Sequence, residues 1–138
     1  MAFKRWFMST ILFLDDNPAR HAIVDIKNPD DLIVHVYDID SFRAALKSYE
    51  KFDIVSLDHD LNEFSEEGHQ SILYDGRMAT GLDACGYMIK YRDKLPAEII
   101  IHSTNGNGAR SMEGFLLSKG IAARWKMFSE SDPYDENI

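Results

Sequence analysis

The sequence predicts a single α/β domain built on an open parallel β-sheet. Short apolar runs that fit strands alternate along the 138 residues with longer segments whose apolar residues recur at helical spacing. This alternation is typical of βαβ units with right-handed crossovers. Three of the apolar runs end abruptly in polar residues, at Asp15, Asp58 and His102. We find no internal repeat or linker, and the chain is long enough to bury a core without a disulfide or metal.

The first strand and helix are predicted from an apolar run and a proline. Thr10–Leu14 is nearly unbroken in its apolar character and fits a strand at the sheet centre, covered on both faces. Pro18 suits the first turn of a helix that continues through Ala19–Ile26. Asp16 or Asn17 is expected to cap this helix.

The middle of the chain repeats the alternation. Leu32–Tyr37 fits a second strand, and the next helix is expected to be capped by Asp40 or Ser41. Asp53–Leu57 fits a third strand, and Thr80–Leu95 fits the following helix. The third strand, like the first, stops at charged residues.

The last elements follow the same pattern. Glu98–Ile101 fits a fourth strand, and Ser111–Lys119 fits a helix that Gly120 closes. Ile121–Phe128 contains the fifth strand. These elements complete a sheet of five strands.

Three segments lie outside the regular pattern of this single domain, which spans residues 1–138. Residues 1–9 are an N-terminal extension and residues 129–138 an acidic tail. Residues 62–79 are unusually long for a connection between a strand and a helix. We interpret them as an inserted, lid-like loop above the site, with a disordered loop as the alternative.

The composition limits the function. A formal net charge of -8 opposes non-specific binding along duplex nucleic acid, although a bound divalent cation would let an acidic protein process a phosphate ester. The single cysteine, Cys85, fits a reducing compartment. No segment resembles a secretory signal or a membrane span, so we expect a cytoplasmic protein that does not bind membranes.

Three acidic residues are expected to form a metal site. Asp15 and Asp16 follow the first strand and Asp58 follows the third, and the carboxyl ends of parallel strands meet at the edge where ligands bind. Acids so close together repel unless a cation neutralises them, and oxygen ligands suit Mg²⁺ or Mn²⁺. In the alternative interpretation, Asp16 only caps a helix and Asp58 only begins a turn.

Two histidines are predicted to act as general acid and base. His59 follows Asp58 directly, His102 follows the fourth strand, and imidazole titrates near neutral pH. Opening a cyclic phosphodiester needs one group to activate water and another to protonate the departing oxygen. Asp60 would orient the ring of His59. The alternatives are a solvated His59 and a buried His102 satisfied by backbone atoms.

Four further residues are predicted to bind the substrate. Ser103 either hydrogen bonds a phosphate oxygen or caps the next helix, and Asn105 lies in the glycine-containing segment that follows. Arg110 offers a bidentate phosphate contact. Lys126 lies at the end of the fifth strand, with a solvated surface position as its alternative.

These residues resemble two related patterns. The run Ile11–Pro18, together with Asp58, Ser103 and Lys126, is similar to the response-regulator receiver fold. The finer pattern resembles the divergent cyclic-phosphate processing receiver domains. Its motifs are Asp15-Asp16-x-Pro18-x-Arg20-His21, Leu57-Asp58-His59-Asp60-Leu61, Thr80-Gly81-x-Asp83 and Ile101-His102-Ser103-x-Asn105 with Gly108-Ala109.

The resemblance implies a receiver-like, flavodoxin-like sheet in the order 2-1-3-4-5, with helices on both faces and a fifth helix that is short or absent. In receivers the equivalent acids bind Mg²⁺, and the residue matching Asp58 accepts phosphate. The cyclic-phosphate processing group is thought to act on cyclic phosphate ends of nucleic acids or related nucleotides.

Three functions follow from these expectations. The leading hypothesis is a metal-assisted phosphoesterase acting on cyclic phosphates of nucleotides or RNA ends. Asp58, His59 and His102 are its catalytic residues, and Asp15, Asp16 and Asp58 its metal ligands. The alternatives are a signalling switch phosphorylated on Asp58 and a protein that sequesters a nucleotide without cleaving it.

Overall fold

The computed structural model describes residues 9–61, 73–74 and 77–127. Four α-helices, one short 3₁₀ helix and seven strands lie in these ranges. In chain order they are β1 (Thr10–Leu14), α1 (Pro18–Lys27), β2 (Leu32–Val36), α2 (Ile39–Ser48), β3 (Ile54–Leu57), β4 (Leu73–Tyr74), β5 (Arg77–Met78), α3 (Gly81–Lys90), the 3₁₀ helix (Arg92–Lys94), β6 (Glu98–Ile101), α4 (Gly106–Ser118) and β7 (Arg124–Trp125).

Five parallel strands form the main sheet, in the order β2-β1-β3-β6-β7. Among the described strands, the short β4 and β5 pair with each other, antiparallel. With these two set aside, the order is 2-1-3-4-5, as predicted. Ile11 pairs with Ile54 and Ile54 with Glu98, so the three central strands start in register.

The strands bury both of their faces because successive side chains alternate. The larger core cluster lies on one face, where Leu12, Val55 and Ile99 meet the apolar sides of α2, α3 and α4. The smaller cluster on the other face holds Phe13 and Val24, the latter from α1. Helices therefore cover both faces, and the sheet edge between them is left for the site.

Capping side chains set the start of several helices. Of the two predicted caps of α1, the structure confirms Asn17, whose side chain accepts a hydrogen bond from the Ala19 N–H. Asp38 caps α2 in place of Asp40 or Ser41. The predicted helix Thr80–Leu95 is divided into α3 and the 3₁₀ helix.

The largest correction concerns α4. It begins at Gly106, five residues before the predicted start at Ser111, with Asn105 as its N-cap. Gly106 and Gly108 therefore both lie inside the first turn of α4. Glycine is a poor helix former, but a capping side chain and tertiary packing offset that weakness.

Parts of the predicted domain organisation fall outside the described residues. This holds for residues 1–8 of the extension, most of the lid-like loop 62–79 and the acidic tail 129–138. The roles given to these segments stay predictions, and so does the expectation that a fifth helix is short or absent. None of the helices in the described ranges combines the length and apolar character that crossing a membrane requires.

Candidate active site

Three of the predicted residues meet at the carboxyl edge of the sheet. Asp15, Asp58 and His102 directly follow β1, β3 and β6, which are neighbours in the sheet. One ligand atom of each lies within 4.8 Å of the others, and all three residues are buried. The parallel topology thus brings the ends of separate strands together, as the sequence indicated.

Asp15 is fixed by four partners. Its carboxylate accepts hydrogen bonds from the Asn17 N–H at 2.8 Å and from the Arg20 guanidinium at 3.3 Å. It also accepts one from His102 Nε2 at 2.9 Å, while its backbone carbonyl accepts one from His21 Nε2 at 2.7 Å. Burial raises the pKa of Asp15, but its contacts with His102, Asn17 and Arg20 outweigh burial and hold the pKa below its ordinary value.

Asp58 has fewer contacts than Asp15 that offset the cost of burying a negative charge. It accepts a hydrogen bond from the His59 N–H at 2.8 Å, and the Arg20 guanidinium lies 3.7 Å away. Burial, together with the charges of Asp15 and Asp16, raises the pKa of Asp58 to about 8, although Arg20 and the His59 N–H oppose the rise. The neutral acid is therefore favoured near neutral pH.

The excess of buried acidic groups over basic groups at this site fits a divalent cation. Asp15, Asp16 and Asp58 are buried together, and within the described ranges Arg20 is the only permanently charged cation that pairs with Asp15 or Asp58. Hard carboxylate oxygens in this number suit Mg²⁺ or Mn²⁺. Asp16 does not join the group of ligand atoms within 4.8 Å, so its role as a ligand stays a prediction.

His102 is buried completely, with 0% of its surface exposed. Its ring stacks on Phe13 at 4.5 Å, and both nitrogens are hydrogen bonded, Nε2 to Asp15 and Nδ1 to Ser56 Oγ at 2.7 Å. Burial outweighs the contact with Asp15 and lowers the pKa of His102. A neutral ring that donates from Nε2 accepts at Nδ1, so the Ser56 hydroxyl donates.

The surroundings of His102 bear on its predicted roles. The ring has no exposed surface and binds the Asp15 carboxylate, and its action as a general acid or base stays a prediction. The alternative prediction named backbone partners, but the partners are the side chains of Asp15 and Ser56. Ser56 was missed, although a lone hydroxyl in an apolar strand is a signal for such a contact.

Replacing Ser56 by alanine is expected to lower the free energy of unfolding by about 1–3 kcal/mol, because Nδ1 of the buried His102 loses its donor. Urea denaturation measures the loss. Ser111→Ala is the matched control, since Ser111 is exposed on α4 and its change should stay within about 0.5 kcal/mol. Equal effects of the two substitutions would contradict the assigned hydrogen bond.

His59 differs from His102 in being reachable. Its side chain is 16% exposed, and its Nδ1 lies 2.9 Å from Asp60 Oδ1, as predicted for an orienting carboxylate. Among the described residues, Nε2 has no hydrogen-bond partner. The ring packs on Gly108 of α4, where an added Cβ would lie 2.4 Å from the ring. His59 is thus an oriented imidazole with one available nitrogen.

The predicted substrate residues Ser103 and Asn105 bind their own chain. Ser103 is buried; its Oγ accepts a hydrogen bond from the Asn105 N–H at 3.0 Å, and its carbonyl accepts one from the Trp125 indole at 2.8 Å. The Asn105 amide oxygen accepts from the Gly108 N–H, and its nitrogen lies 3.4 Å from Asp60. Both residues shape the turn that supports His59, and the N-cap is Asn105.

The two predicted basic substrate residues lie on α4 and directly after β7. Arg110 is exposed in the second turn of α4, and its side chain makes no hydrogen bond or ion pair with the described residues. Lys126 directly follows β7, and its backbone N–H donates to the Ile101 carbonyl at 2.8 Å. Their contacts with substrate stay predictions.

Two further residues of the site belong to the quoted motifs but received no role from the sequence. Arg20 lies in the first turn of α1, and its side chain is only 11% exposed between Asp15 and Asp58. His21, the next residue, is buried, and burial lowers its pKa to about 4 in spite of its hydrogen bond to Asp15. A basic pair in the first turn after two acids is a signal for such contacts.

Comparison with known proteins agrees with this arrangement. A family model described as a cyclic-phosphate processing Receiver domain matches residues 10–118. The chain belongs to this family. A comparison with curated protein sequences finds no match.

Solved receiver structures share the fold of this receiver domain. One is a response regulator protein from Burkholderia pseudomallei with a phosphorylated aspartic acid, calcium ion and citrate, at 11% identity, TM-score 0.61 and 88% coverage of this chain. Another is the response regulator DrrB of Thermotoga maritima, at 16% identity, TM-score 0.56 and 92% coverage. The chain spans 62% and 48% of the lengths of these two proteins.

Proposed function

We propose that this receiver domain is a metal-assisted phosphoesterase that acts on cyclic phosphates of nucleotides or RNA ends. The observation that carries the proposal is the partly exposed ring of His59, oriented by Asp60, on the residue whose backbone N–H donates to the buried Asp58 of the acid site. A chain that only accepted a phosphoryl group on Asp58 would have no use for an oriented imidazole there. The family description supports the class of substrate.

The acids supply the metal site in this proposal. Asp15 and Asp58 would hold Mg²⁺ or Mn²⁺, with Asp16 as a further acid. The bound cation would stabilise negative charge on the phosphoryl oxygens. Arg20 and His102 keep Asp15 ionised and oriented, and this support replaces the acid–base role first predicted for His102.

His59 is the proposed general base. Its Nε2 takes a proton from the water that adds to phosphorus, and the bond from phosphorus to one ribose oxygen breaks. That oxygen leaves on the opposite side of phosphorus and takes a proton from a solvent water, and the imidazolium gives its proton to the resulting hydroxide, so the ring is regenerated and the product is a phosphate monoester. Asp60, 2.9 Å from Nδ1, stabilises the imidazolium. Arg110 and Lys126 are the proposed contacts with substrate phosphate.

A panel of cyclic phosphates tests the proposal. We expect at least one substrate among 2′,3′-cyclic nucleotides, RNA with a cyclic phosphate end and cyclic dinucleotides to yield a monoester with Mg²⁺ or Mn²⁺, followed by ³¹P NMR. Chelation with EDTA should stop turnover, because the buried acids then lack their cation. No conversion of any substrate with either metal contradicts the proposal, and ligand-induced thermal stabilisation with intact ligand would favour sequestration.

A second candidate is a signalling switch phosphorylated on Asp58. It is favoured by the position of Asp58 at the end of β3 and by the phosphorylated aspartic acid of the similar Burkholderia pseudomallei protein. Intact mass after treatment with acetyl phosphate distinguishes the two. A single added phosphoryl group that Asp58→Asn abolishes supports the switch, and an unmodified chain contradicts it.

A further inference from the structure

A line of side chains that the proposed function does not use leads from the surface to the acid site. Asp25 on α1 is 58% exposed, and its carboxylate lies 2.9 Å from His35 Nε2 on β2. His35 Nδ1 lies 2.6 Å from His21 Nδ1, and His21 Nε2 lies 2.7 Å from the backbone carbonyl of Asp15. Tyr37 stacks on the His21 ring at 3.9 Å and holds its plane.

The positions of the hydrogens in this line follow from its two ends. A backbone carbonyl only accepts, so His21 carries its hydrogen on Nε2. The Asp25 carboxylate also accepts, so His35 carries a hydrogen on Nε2. The contact between the two Nδ1 atoms needs one further hydrogen, which either ring can carry. All three contacts therefore form together when the two rings share one hydrogen between their Nδ1 atoms.

We infer that His21 and His35 are positioning residues for Asp15. His35 fixes the ring of His21 through the hydrogen bond between their Nδ1 atoms, and His21 holds the Asp15 carbonyl through its Nε2–H. The inference rests on the proposed use of Asp15 as a metal ligand, but it does not depend on which substrate is cleaved.

The carbonyl of Asp15 matters because the peptide direction sets where the carboxylate lies. On the side-chain end, Asp15 is held by His102 and Arg20; on the backbone end it is held by His21. Partners that orient a metal ligand typically change metal affinity by about 10–100-fold when removed. Loss of the His21 contact is expected at the lower end of this range, since it acts on the backbone.

Matched amide substitutions test each contact, because glutamine places its NH₂ near the position of Nε2 and asparagine near that of Nδ1. His21→Gln keeps a donor for the Asp15 carbonyl, whereas His21→Asn does not. His35→Asn keeps a donor for His21, whereas His35→Gln directs its amide towards Asp25. Mn²⁺ affinity by calorimetry and the ring hydrogens by ¹H–¹⁵N NMR are measured on the full chain, with the exposed Asp93→Asn as control.

We expect about a tenfold loss of Mn²⁺ affinity in His21→Asn, a smaller loss in His35→Gln, and values within about threefold of wild type in His21→Gln and His35→Asn. Wild-type His21 should show its hydrogen on Nε2. A hydrogen on Nδ1 with none on Nε2, or equal affinities within each pair, overturns the inference. The wild-type chain could also bind no Mn²⁺. If His21 then still carries its hydrogen on Nε2, the proposed metal site is wrong and the hydrogen bond to Asp15 stands. If that hydrogen is absent, the hydrogen-bond line itself is refuted.

Discussion

Replacing His59 by alanine is expected to lower kcat for the cyclic phosphate by about 10²–10⁴-fold, the usual contribution of general acid–base catalysis. Within the described part of the chain, His59 follows Asp58 directly and keeps its Nε2 without a hydrogen-bond partner, whereas His102 is buried with both nitrogens bound. Binding of Mn²⁺ should change little, because His59 contributes only its backbone N–H to Asp58. Initial rates with Mg²⁺ over a range of substrate concentrations give kcat and KM separately.

Two further substitutions are compared with His59→Ala, one with a smaller expected effect and one with none. Asp60→Asn removes the carboxylate that lies 2.9 Å from His59 Nδ1, and we expect a loss of about tenfold together with an altered pH–rate profile. Asp93→Asn removes an exposed carboxylate from the 3₁₀ helix and should leave the rate unchanged. A His59→Ala protein with full turnover would remove His59 from the mechanism.

Replacing Asp58 by asparagine is expected to stabilise the metal-free protein increasingly as the pH rises. The pKa of Asp58 is raised to about 8 in the folded chain, against 3.8 for an ordinary aspartate. Between these values the folded chain keeps a proton that the unfolded chain has released. The contribution of Asp58 to wild-type stability therefore falls as the pH rises through this window and stays low above it. Asparagine has no such proton to lose.

The free energy of unfolding of Asp58→Asn minus that of wild type should increase by roughly 2–5 kcal/mol between about pH 4 and pH 8, since each pKa unit corresponds to about 1.4 kcal/mol. Urea denaturation in EDTA measures it, with Asp93→Asn as the control for loss of a carboxylate. Adding Mg²⁺ should remove most of the difference, because the cation neutralises the ionised Asp58. A difference that does not change with pH would show that Asp58 titrates normally.

The sequence was sufficient for the sheet and for the edge at which the acids meet. Apolar runs that stop at Asp15, Asp58 and His102 mark strand ends, and parallel topology brings such ends together wherever the strands are neighbours. The start of α4 was not predictable from propensity, because Gly106 and Gly108 are poor helix formers. The cap formed by Asn105 and the packing of Gly108 on His59 decide that boundary.

The roles of the two histidines could not be separated from sequence. Both follow strands, and both have a polar neighbour in the chain. The difference arises from the pleat, which places His102 on the same sheet face as Phe13 and Ser56, while the turn after Asp58 carries His59 to the surface of α4. Ring direction and burial are properties of packing, which local periodicity does not encode.

Calorimetric titration of Mn²⁺ into the chain tests the metal site at the centre of this account. Wild type should bind one Mn²⁺ with release of a proton, because the acids after β1 and β3 share one buried site. Asp15→Asn and Asp58→Asn should each weaken binding at least about tenfold, whereas Asp93→Asn should not. A chain that binds no divalent cation, or binds it equally well without those two carboxylates, would contradict the account.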